Sequence, residues 1–279
     1  QFYRFLNRHF LADGPRNDEE IPSRGELQTA ETLRVAIPAD NADFDSLAAK
    51  AAVALPRGDL GSKVQQREQL RGILRAPHYE TGADRFTGPT TVNGLEVRRF
   101  VLRFGEDWSL PGVVVQGAQV DRSVLLLSDG GFASEVARIR ELVESGARVV
   151  ALDPLLVGVA KPPGSLYQKS MLIATVGERA LGIQASQIVA SSRFLSRVLV
   201  AGRLAIESHG PRCGLAARCA AALDGATSIN AVHTHDELAS LKSLLLPDAR
   251  YQDHPEAYCF GLLQSFDVAQ LTELAGAEE

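Results

Sequence analysis

The sequence is poor in cysteine, methionine and tryptophan, with three, one and one among 279 residues. An odd and sparse set of cysteines (Cys213, Cys219 and Cys259) indicates no disulfide framework. Apolar runs stay well short of the roughly 18–20 residues of a membrane helix, so no membrane span is expected. The net charge is −5, without clusters of Lys and Arg among aromatics, which argues against nucleic acid as a partner.

The remaining composition, 45% hydrophobic and 23% charged, is that of an ordinary globular protein with enough residues to bury a sizeable core. The chain begins at Gln1, and its only methionine is Met171. No basic segment followed by an apolar stretch and a cleavage site is visible, so no signal peptide is predicted in this sequence. We expect a fragment or processed part of a longer polypeptide, and no cellular compartment is predicted.

The first 90 residues are predicted to form a helical and linker segment rather than one domain. Residues 2–11 favour a short amphipathic helix with Phe2, Phe5 and Phe10 on one side. Burial would stabilise each of these side chains by roughly 1.5–3 kcal/mol, so we expect the helix to pack on another part of a larger protein or to dock loosely on this one. A polar connector follows at 12–26, then helical periodicity over 42–76 with an interruption at 56–58, then a loop at 79–89.

From about residue 93 the pattern changes to strands that alternate with helices. Two antiparallel strands are predicted first, and the continuous apolar runs after them are typical of a buried parallel sheet. Strands are expected at 96–104, 111–118, 123–131 (ending in a glycine turn), 147–154, 203–208 and 228–235, and helices at 134–144, 182–195 and 211–223. This order predicts an α/β protein. No G-x-G-x-x-G or G-x-x-x-x-G-K-[ST] motif follows a strand, and we predict no cofactor.

Three segments resemble the acetyl xylan esterase-like branch of the α/β-hydrolases: VLLLSDGGFASEVARIRELVESGARVVALDP, GERALGIQASQIVASSRFL and PEAYCFGLLQSFDVAQLTELAG. The opening FYRFLNRHFL is similar to a helix that follows a first hydrolase domain in longer tandem members. The resemblance implies a mostly parallel central sheet with flanking helices over residues 91–279, truncated before its last strands. It also implies hydrolysis of acyl esters, typically on polysaccharides, by a Ser–His–acid triad.

The stretch RLAIESHGPRCGLAARCAAAL has the context of a nucleophile elbow: a short strand, a tight turn and a small-residue helix that opens with proline. The motif G-x-S-x-G itself is missing. The candidate nucleophiles are Ser208, Cys213 and His209. A purely structural role stays open for two of them. Ser208 is then a serine at the end of a strand that bonds to the backbone, and Cys213 is a small buried residue in the first helical turn.

The order of triad residues in this fold is serine, acid, histidine. The resemblance places the acid and the histidine after the segment 255–276, and the sequence stops at Glu279. Asp236, Asp248 or Asp253 followed by His254 satisfies the order on paper, although His254 lies in a polar loop and is also read as a solvated or capping residue. We expect no complete triad within these residues.

Four more residues are candidates for a pocket or an anion site. Gly130 and Gly131 follow an apolar strand, where the resemblance places an oxyanion-hole amide; the alternative is a plain turn. Asp153 ends a strand at the edge where α/β sites gather, and is a pocket-lining candidate. Arg212, at a helix N-terminus, is a candidate for holding an anion, while the neighbouring Pro211 has no N–H to donate.

His233 and His235 lie on one face of the predicted strand 228–235, a spacing that can chelate zinc. Without a clear third and fourth ligand, the alternative of a polar pair at a strand end is preferred, and no metal site is predicted.

The sequence therefore predicts an α/β-hydrolase-like domain that is non-catalytic in this segment, the degenerate half of a tandem protein with a structural or glycan-binding role. The alternative is an active carboxylic ester hydrolase that deacetylates polysaccharides, and a third, distant reading is a metal-dependent hydrolase using His233 and His235. The expected partners are a polysaccharide or acyl ester and another domain or subunit of the same protein.

Overall fold

The computed structural model describes residues 1–11, 18–19, 22–57, 61–199 and 202–276. These residues form two compact units, Gln1–Asp43 and Phe44–Glu279. Parts of the predicted connector at 12–26 and of the predicted interruption at 56–58 lie outside the described residues.

The first unit contains one helix, α1 (Phe2–His9), among its described residues. This confirms the predicted helix, and its last turn closes where the N–H of Phe10 bonds to Leu6 O. The side chains of Phe2, Phe5 and Phe10 are 67%, 54% and 72% exposed, so the aromatic side of α1 lies open. The docking of this helix on another part of a larger protein stays a prediction.

The second unit contains the sheet and its helices. In chain order the elements are α2 (Phe44–Ala52), α3 (Lys63–Leu74), β1 (Thr81–Phe86), β2 (Thr90–Val92), β3 (Leu95–Phe104), β4 (Trp108–Gln116), β5 (Arg122–Ser128), α4 (Val136–Glu144), β6 (Ala147–Leu152), α5 (Leu166–Thr175), α6 (Ala180–Val198), β7 (Leu204–His209), α7 (Pro211–Asp224), β8 (Ile229–His235), α8 (Leu262–Ser265) and α9 (Val268–Ala275). Short 3₁₀ helices lie at Phe132–Glu135, Gly158–Ala160 and Leu241–Leu245. The strands and helices predicted from residue 96 onward are present, with ends shifted by a few residues.

The strands form one sheet in the order β1-β3-β4-β6-β5-β7-β8, with β2 also paired to β3. β5 is parallel to β6 and to β7, and β7 is parallel to β8. β3 pairs antiparallel with β1, β2 and β4, and β4 pairs antiparallel with β6. The α/β class with flanking helices is confirmed, and the sheet is mixed. Two of the parallel strands, β5 and β6, are the predicted apolar runs, and they are buried along almost their whole length, as strands covered on both faces are.

The loop predicted at 79–89 is wrong over Thr81–Phe86, which form β1 and pair antiparallel with β3. The sequence hides this strand because it lies at the edge of the sheet, carries Gly82 and has an irregular register between Ala83 and Arg85. The ring of Phe86 stacks on that of Phe100, with centroids 5.4 Å apart. β1 is therefore held by backbone pairing with β3 and one aromatic contact, and it lacks the alternation of apolar residues from which a strand is predicted.

Helix α3 belongs to the same unit as the sheet. It begins with a capping box in which the side chains of Ser62 and Gln65 each bond the other's backbone N–H. Leu70 and Leu74 are fully buried in the main core. A Cβ added to Gly182 of α6 would lie 1.8 Å from Leu74 O, so the two helices meet at a position that only glycine can fill. The division into a helical and linker segment at 1–90 and a hydrolase-like domain at 91–279 stays a prediction.

The helices cover both faces of the sheet. Helix α4 packs on β6, and α7 packs on β7 and β8 while also contacting α6 and α9. Every residue of α7 from Cys213 to Ala217 is buried, and the small side chains of this helix let its neighbours approach closely. Among the described residues, no helix has both the length and the apolar character needed to cross a membrane.

Candidate functional site

The turn between β7 and α7 lies at the carboxyl end of the parallel strands. Gly210 is the single residue between the two elements, with φ 96° and ψ 161°. This left-handed backbone favours glycine. A Cβ added to Gly210 would lie 2.5 Å from Cγ of Asp129, so the carboxyl group of Asp129 fills the space beside the turn.

The carboxylate of Asp129 caps the first turn of α7. Its Oδ2 accepts the N–H of Arg212 at 3.1 Å, and its Oδ1 accepts the N–H of Cys213 at 2.6 Å. The backbone N–H of Asp129 also bonds to His209 O at 2.9 Å, which fixes the residue against the end of β7. An anion at a helix N-terminus is favoured because the first N–H groups of a helix have no partner within the helix, and because the helix dipole is positive there. The N-terminus of α7 thus already holds an anion, and that anion belongs to the chain.

Ser208 lies on β7 rather than on the turn. Its side chain is fully buried on the same face of the strand as Leu204 and Ile206, and its Oγ has no hydrogen-bond partner among the described residues. It therefore makes no hydrogen bond to His254. Whether Ser208 acts as a nucleophile stays a prediction.

His254 lies in the loop that precedes α8, and its Nδ1 is buried without a hydrogen-bond partner in the described part of the chain. The three acids that satisfy the triad order, Asp236, Asp248 and Asp253, are exposed. No hydrogen bond joins His254 to any of them in the described structure. The catalytic role predicted for His254 also stays a prediction.

Cys213 is 1% exposed in the first turn of α7. Burial raises the pKa of its thiol well above the usual value, and the neighbouring carboxylate of Asp129 raises it further. The neutral thiol is therefore the stable form, in contrast to the low-pKa thiolate that a helix N-terminus often favours.

Arg212 points its guanidinium into a buried ion pair. Nε bonds to Glu256 Oε2 at 3.0 Å, and Nη2 bonds to Glu256 Oε1 and, at 2.9 Å, to Leu156 O. The two side chains are only 9% and 2% exposed. Burial opposes the charge of Arg212, but Glu256 outweighs it and raises the pKa of the guanidinium. The structure thus gives Arg212 a partner inside the chain; anion binding by this residue stays a prediction.

The glycine turn after β5 uses its own amides. The N–H of Gly130 bonds to Ser128 Oγ at 3.3 Å, and that of Gly131 bonds to Ser128 O at 2.8 Å. Asp153 is fully buried beside this turn and accepts the N–H groups of Phe132 and Val159, each at 2.8 Å. Burial raises the pKa of its carboxyl above the ordinary value despite these bonds. Asp153 joins two loops at the sheet edge, and the predicted oxyanion and pocket roles of these residues stay predictions.

A cluster that the sequence did not predict lies on the other face of β7. Glu207, His209 and His235 bring one ligand atom each to within 4.8 Å of one another. His235 is in register with His209 on the neighbouring strand, and the two imidazoles lie 4.6 Å apart between centroids. Of the predicted pair His233 and His235, only His235 belongs to this cluster. The available signal was the alternation of Glu207 and His209, but the pairing of β7 with β8 was needed to join them to His235.

Two cavities lie elsewhere on this unit. An apolar groove of about 570 Å³ lies between β3, β4 and α4. A polar cavity of about 440 Å³ is lined in part by Arg71, His78, Tyr79, Arg193 and Arg197. No residue of the turn around Gly210 lines either of them.

Solved structures identify the fold. No protein-family model matches the sequence, and no relative is found among curated proteins. A Bacteroides fragilis NCTC 9343 protein assigned as an acetyl xylan esterase superposes with a TM-score of 0.67 over 86% of this chain and 75% of its own, at 12% identity. The chain has an α/β-hydrolase fold. Acetyl Xylan Esterase 1 from Thermoanaerobacterium sp. JW/SL YS485 is also similar, with a TM-score of 0.50, 12% identity, and coverage of 80% of this chain and 78% of that chain.

The turn between β7 and α7 corresponds to the turn that carries the nucleophile in α/β-hydrolases. In this fold the nucleophile sits on the sharp turn between strand and helix, and the N–H of the next residue contributes to the oxyanion hole. Here the turn residue is Gly210, which has no side chain, and the next residue is Pro211, which has no N–H. The site therefore has the backbone of an elbow with neither of these two groups.

Proposed function

We propose that this hydrolase-fold domain is non-catalytic and serves a structural or glycan-binding role within a larger protein. The observation that carries the proposal is the carboxylate of Asp129 on the first-turn amides of α7, beside a glycine at the elbow. An ester hydrolase of this fold needs a nucleophile at that turn and N–H donors for the oxyanion beside it.

The charge at this position opposes ester hydrolysis as well. A tetrahedral intermediate carries its negative charge on the oxygen that the oxyanion hole binds. The donors nearest the turn, the N–H groups of Arg212 and Cys213, already bind the carboxylate of Asp129. A substrate oxyanion there would meet a like charge and would have to displace two hydrogen bonds.

A glycan-binding role has one feature in its support. The cavity of about 440 Å³ presents guanidinium, imidazole and phenol groups from Arg71, His78 and Tyr79. The hydroxyl of Ser186 also lines it and is buried without a hydrogen-bond partner among the described residues. Such donors suit the hydroxyl and acyl oxygens of a polysaccharide.

The decisive experiment incubates the chain with an activated acetyl ester and, separately, with a fluorophosphonate probe. Wild type, Ser208→Ala and His254→Ala should all hydrolyse the ester at the rate of buffer, with no covalent labelling. In true hydrolases the loss of a triad member lowers turnover by roughly 10⁴–10⁶. Turnover above that of Ser208→Ala, or labelling at Ser208, would establish the alternative, an active carboxylic ester hydrolase.

A second assay separates the structural role from the glycan-binding role. Affinity electrophoresis in gels that contain acetylated or deacetylated xylan measures binding without any turnover. Retardation that is lost in Arg71→Ala and kept in the exposed control Arg250→Ala supports glycan binding at the polar cavity. Equal mobility with and without xylan supports the structural role.

A further inference from the structure

The cluster on β7 and β8 is built by strand register. Glu207 and His209 are two residues apart on β7, so their side chains share one face of the sheet. The parallel register pairs His209 with His235, which ends the neighbouring strand β8. Because both imidazoles stand at the carboxyl ends of their strands, they lie at the edge of the sheet where ligands of α/β proteins bind.

The donor atoms already lie close to the spacing that zinc requires. His209 Nε2 is 3.1 Å and His235 Nε2 is 3.8 Å from the same atom, Glu207 Oε1. Ligands of a tetrahedral zinc ion, each about 2.0–2.1 Å from the metal, are separated by about 3.4 Å. An ion between these three atoms replaces the proton of the contact between His209 and Glu207, and all three ligand atoms lie within 4.8 Å of one another. His235 is 49% exposed, which leaves an entry path and an open coordination position.

The groups around the donors hold them in place. Nδ1 of His209 faces Glu135 Oε2 at 3.6 Å, the arrangement in which a carboxylate orients an imidazole that binds metal through its other nitrogen. Arg138 binds Glu207 with two hydrogen bonds, Nε to Oε1 at 2.6 Å and Nη2 to Oε2 at 3.2 Å. Metal-binding carboxylates are commonly held by such hydrogen bonds.

Arg138 does not use all the acceptor capacity of Glu207. The two carboxylate oxygens offer about four lone-pair sites, and Arg138 occupies one on each oxygen. The remaining site on Oε1 is the one that now faces His209 Nε2. The guanidinium lowers the affinity for a cation through its charge, while the two imidazoles supply neutral nitrogen ligands.

We propose that Glu207, His209 and His235 form a zinc site at the carboxyl edge of the sheet, with Glu135 as a positioning residue behind His209. Two histidines and one carboxylate with an open fourth position are a ligand set that zinc uses in proteins. The site needs no assumption about ester hydrolysis, and its test involves no ester.

The experiment is a calorimetric titration of the metal-free, untagged chain with zinc chloride. The expected result is one zinc ion per chain, with the affinity lowered by at least about tenfold in His209→Ala and in His235→Ala. Glu135→Gln should weaken zinc binding by about tenfold through the orientation of His209. His78→Ala is the matched control, since it removes an imidazole from a different part of the unit, and it should bind zinc as wild type does.

Thermal unfolding gives a second readout on the same variants. Zinc that binds only the folded chain raises the midpoint of wild type and of His78→Ala but not that of His235→Ala. His235 is exposed on an edge strand, so this variant tests the site even where His209→Ala fails to fold. Absence of saturable binding, binding that survives both His209→Ala and His235→Ala, or an equal loss in His78→Ala would each overturn the proposal.

Discussion

Asp129 Oδ1 accepts the backbone N–H of Cys213 at 2.6 Å, and this bond ties the turn after β5 to the helix that follows β7. Replacing Asp129 by alanine leaves two first-turn N–H groups of α7 without their acceptors. The expected loss is about 1–2 kcal/mol in the free energy of unfolding, the usual cost of a lost N-cap. Asp129→Asn keeps one acceptor oxygen and should lose less. Urea titrations measure both, with the exposed Asp248→Ala as the control; equal stability of wild type and Asp129→Ala would contradict the capping role.

Gly210→Ala should destabilise the fold by about 1–3 kcal/mol, because a residue with a Cβ is strained at φ 96°. The new Cβ would also press on Asp129 Cγ at 2.5 Å. The control is Gly72→Ala in α3, where a new Cβ would meet no neighbouring atom within 4 Å. This variant should gain up to about 1 kcal/mol in the free energy of unfolding.

A double variant separates the two causes of that loss. In Asp129→Ala/Gly210→Ala the contact is relieved while the backbone strain remains. The combined loss of unfolding free energy should therefore be smaller than the sum of the single losses. A strictly additive result would show that the side chain of Asp129 moves aside without cost.

Replacing only one member of the buried pair Arg212–Glu256 should lower the free energy of unfolding strongly. Because both side chains are nearly inaccessible, Arg212→Met leaves an uncompensated carboxylate and should cost about 3–5 kcal/mol. The double variant Arg212→Met/Glu256→Gln should recover part of this loss. The control is Arg98→Ala, whose pair with Glu96 is 39% and 35% exposed and should contribute at most about 1 kcal/mol. Similar losses for Arg212→Met and Arg98→Ala would contradict the buried pair.

The three cysteines should resist alkylation in the folded chain. Burial raises the pKa of Cys259 to about 11 and that of Cys213 and Cys219 well above the usual value. At a pH below its pKa a thiol is mainly in the neutral form, which reacts poorly with iodoacetamide. At pH 8 we therefore expect no labelling of the folded chain. The urea-unfolded chain should take three labels. Mass spectrometry counts the labels. Rapid labelling of Cys213 at pH 8 would restore it as a candidate nucleophile.

The sequence predicted β5 and β6 as buried strands because each is a continuous apolar run with a clear end, whereas β7 and β8 are shorter apolar stretches that end in polar residues. It predicted α7 from Pro211 and the alanines that follow. It missed β1, which is held mainly by the backbone of β3 and one stacked ring.

The strand, turn and helix around Gly210 could be predicted from the sequence, but the side-chain contacts around them could not. The missing serine motif and the lack of an N–H on Pro211 are visible in the letters alone. The carboxylate of Asp129 on α7, the partner of Arg212, and the meeting of His209 with His235 each depend on residues from distant segments. Such contacts follow from strand order and register, which one sequence does not determine.

The pairing of β1 with β3 bears on where this chain can be cut. A recombinant fragment that starts at residue 91 would lose β1, and the backbone donors and acceptors of β3 from Phe100 to Phe104 would face water. It would also lose α3, and with it the leucines that fill the core beside Gly182. An open strand edge next to bared apolar surface is a template for adding strands from other copies. Such a fragment should collect in inclusion bodies, whereas one that starts at Phe44 keeps β1 paired with β3 and keeps α3 in the core.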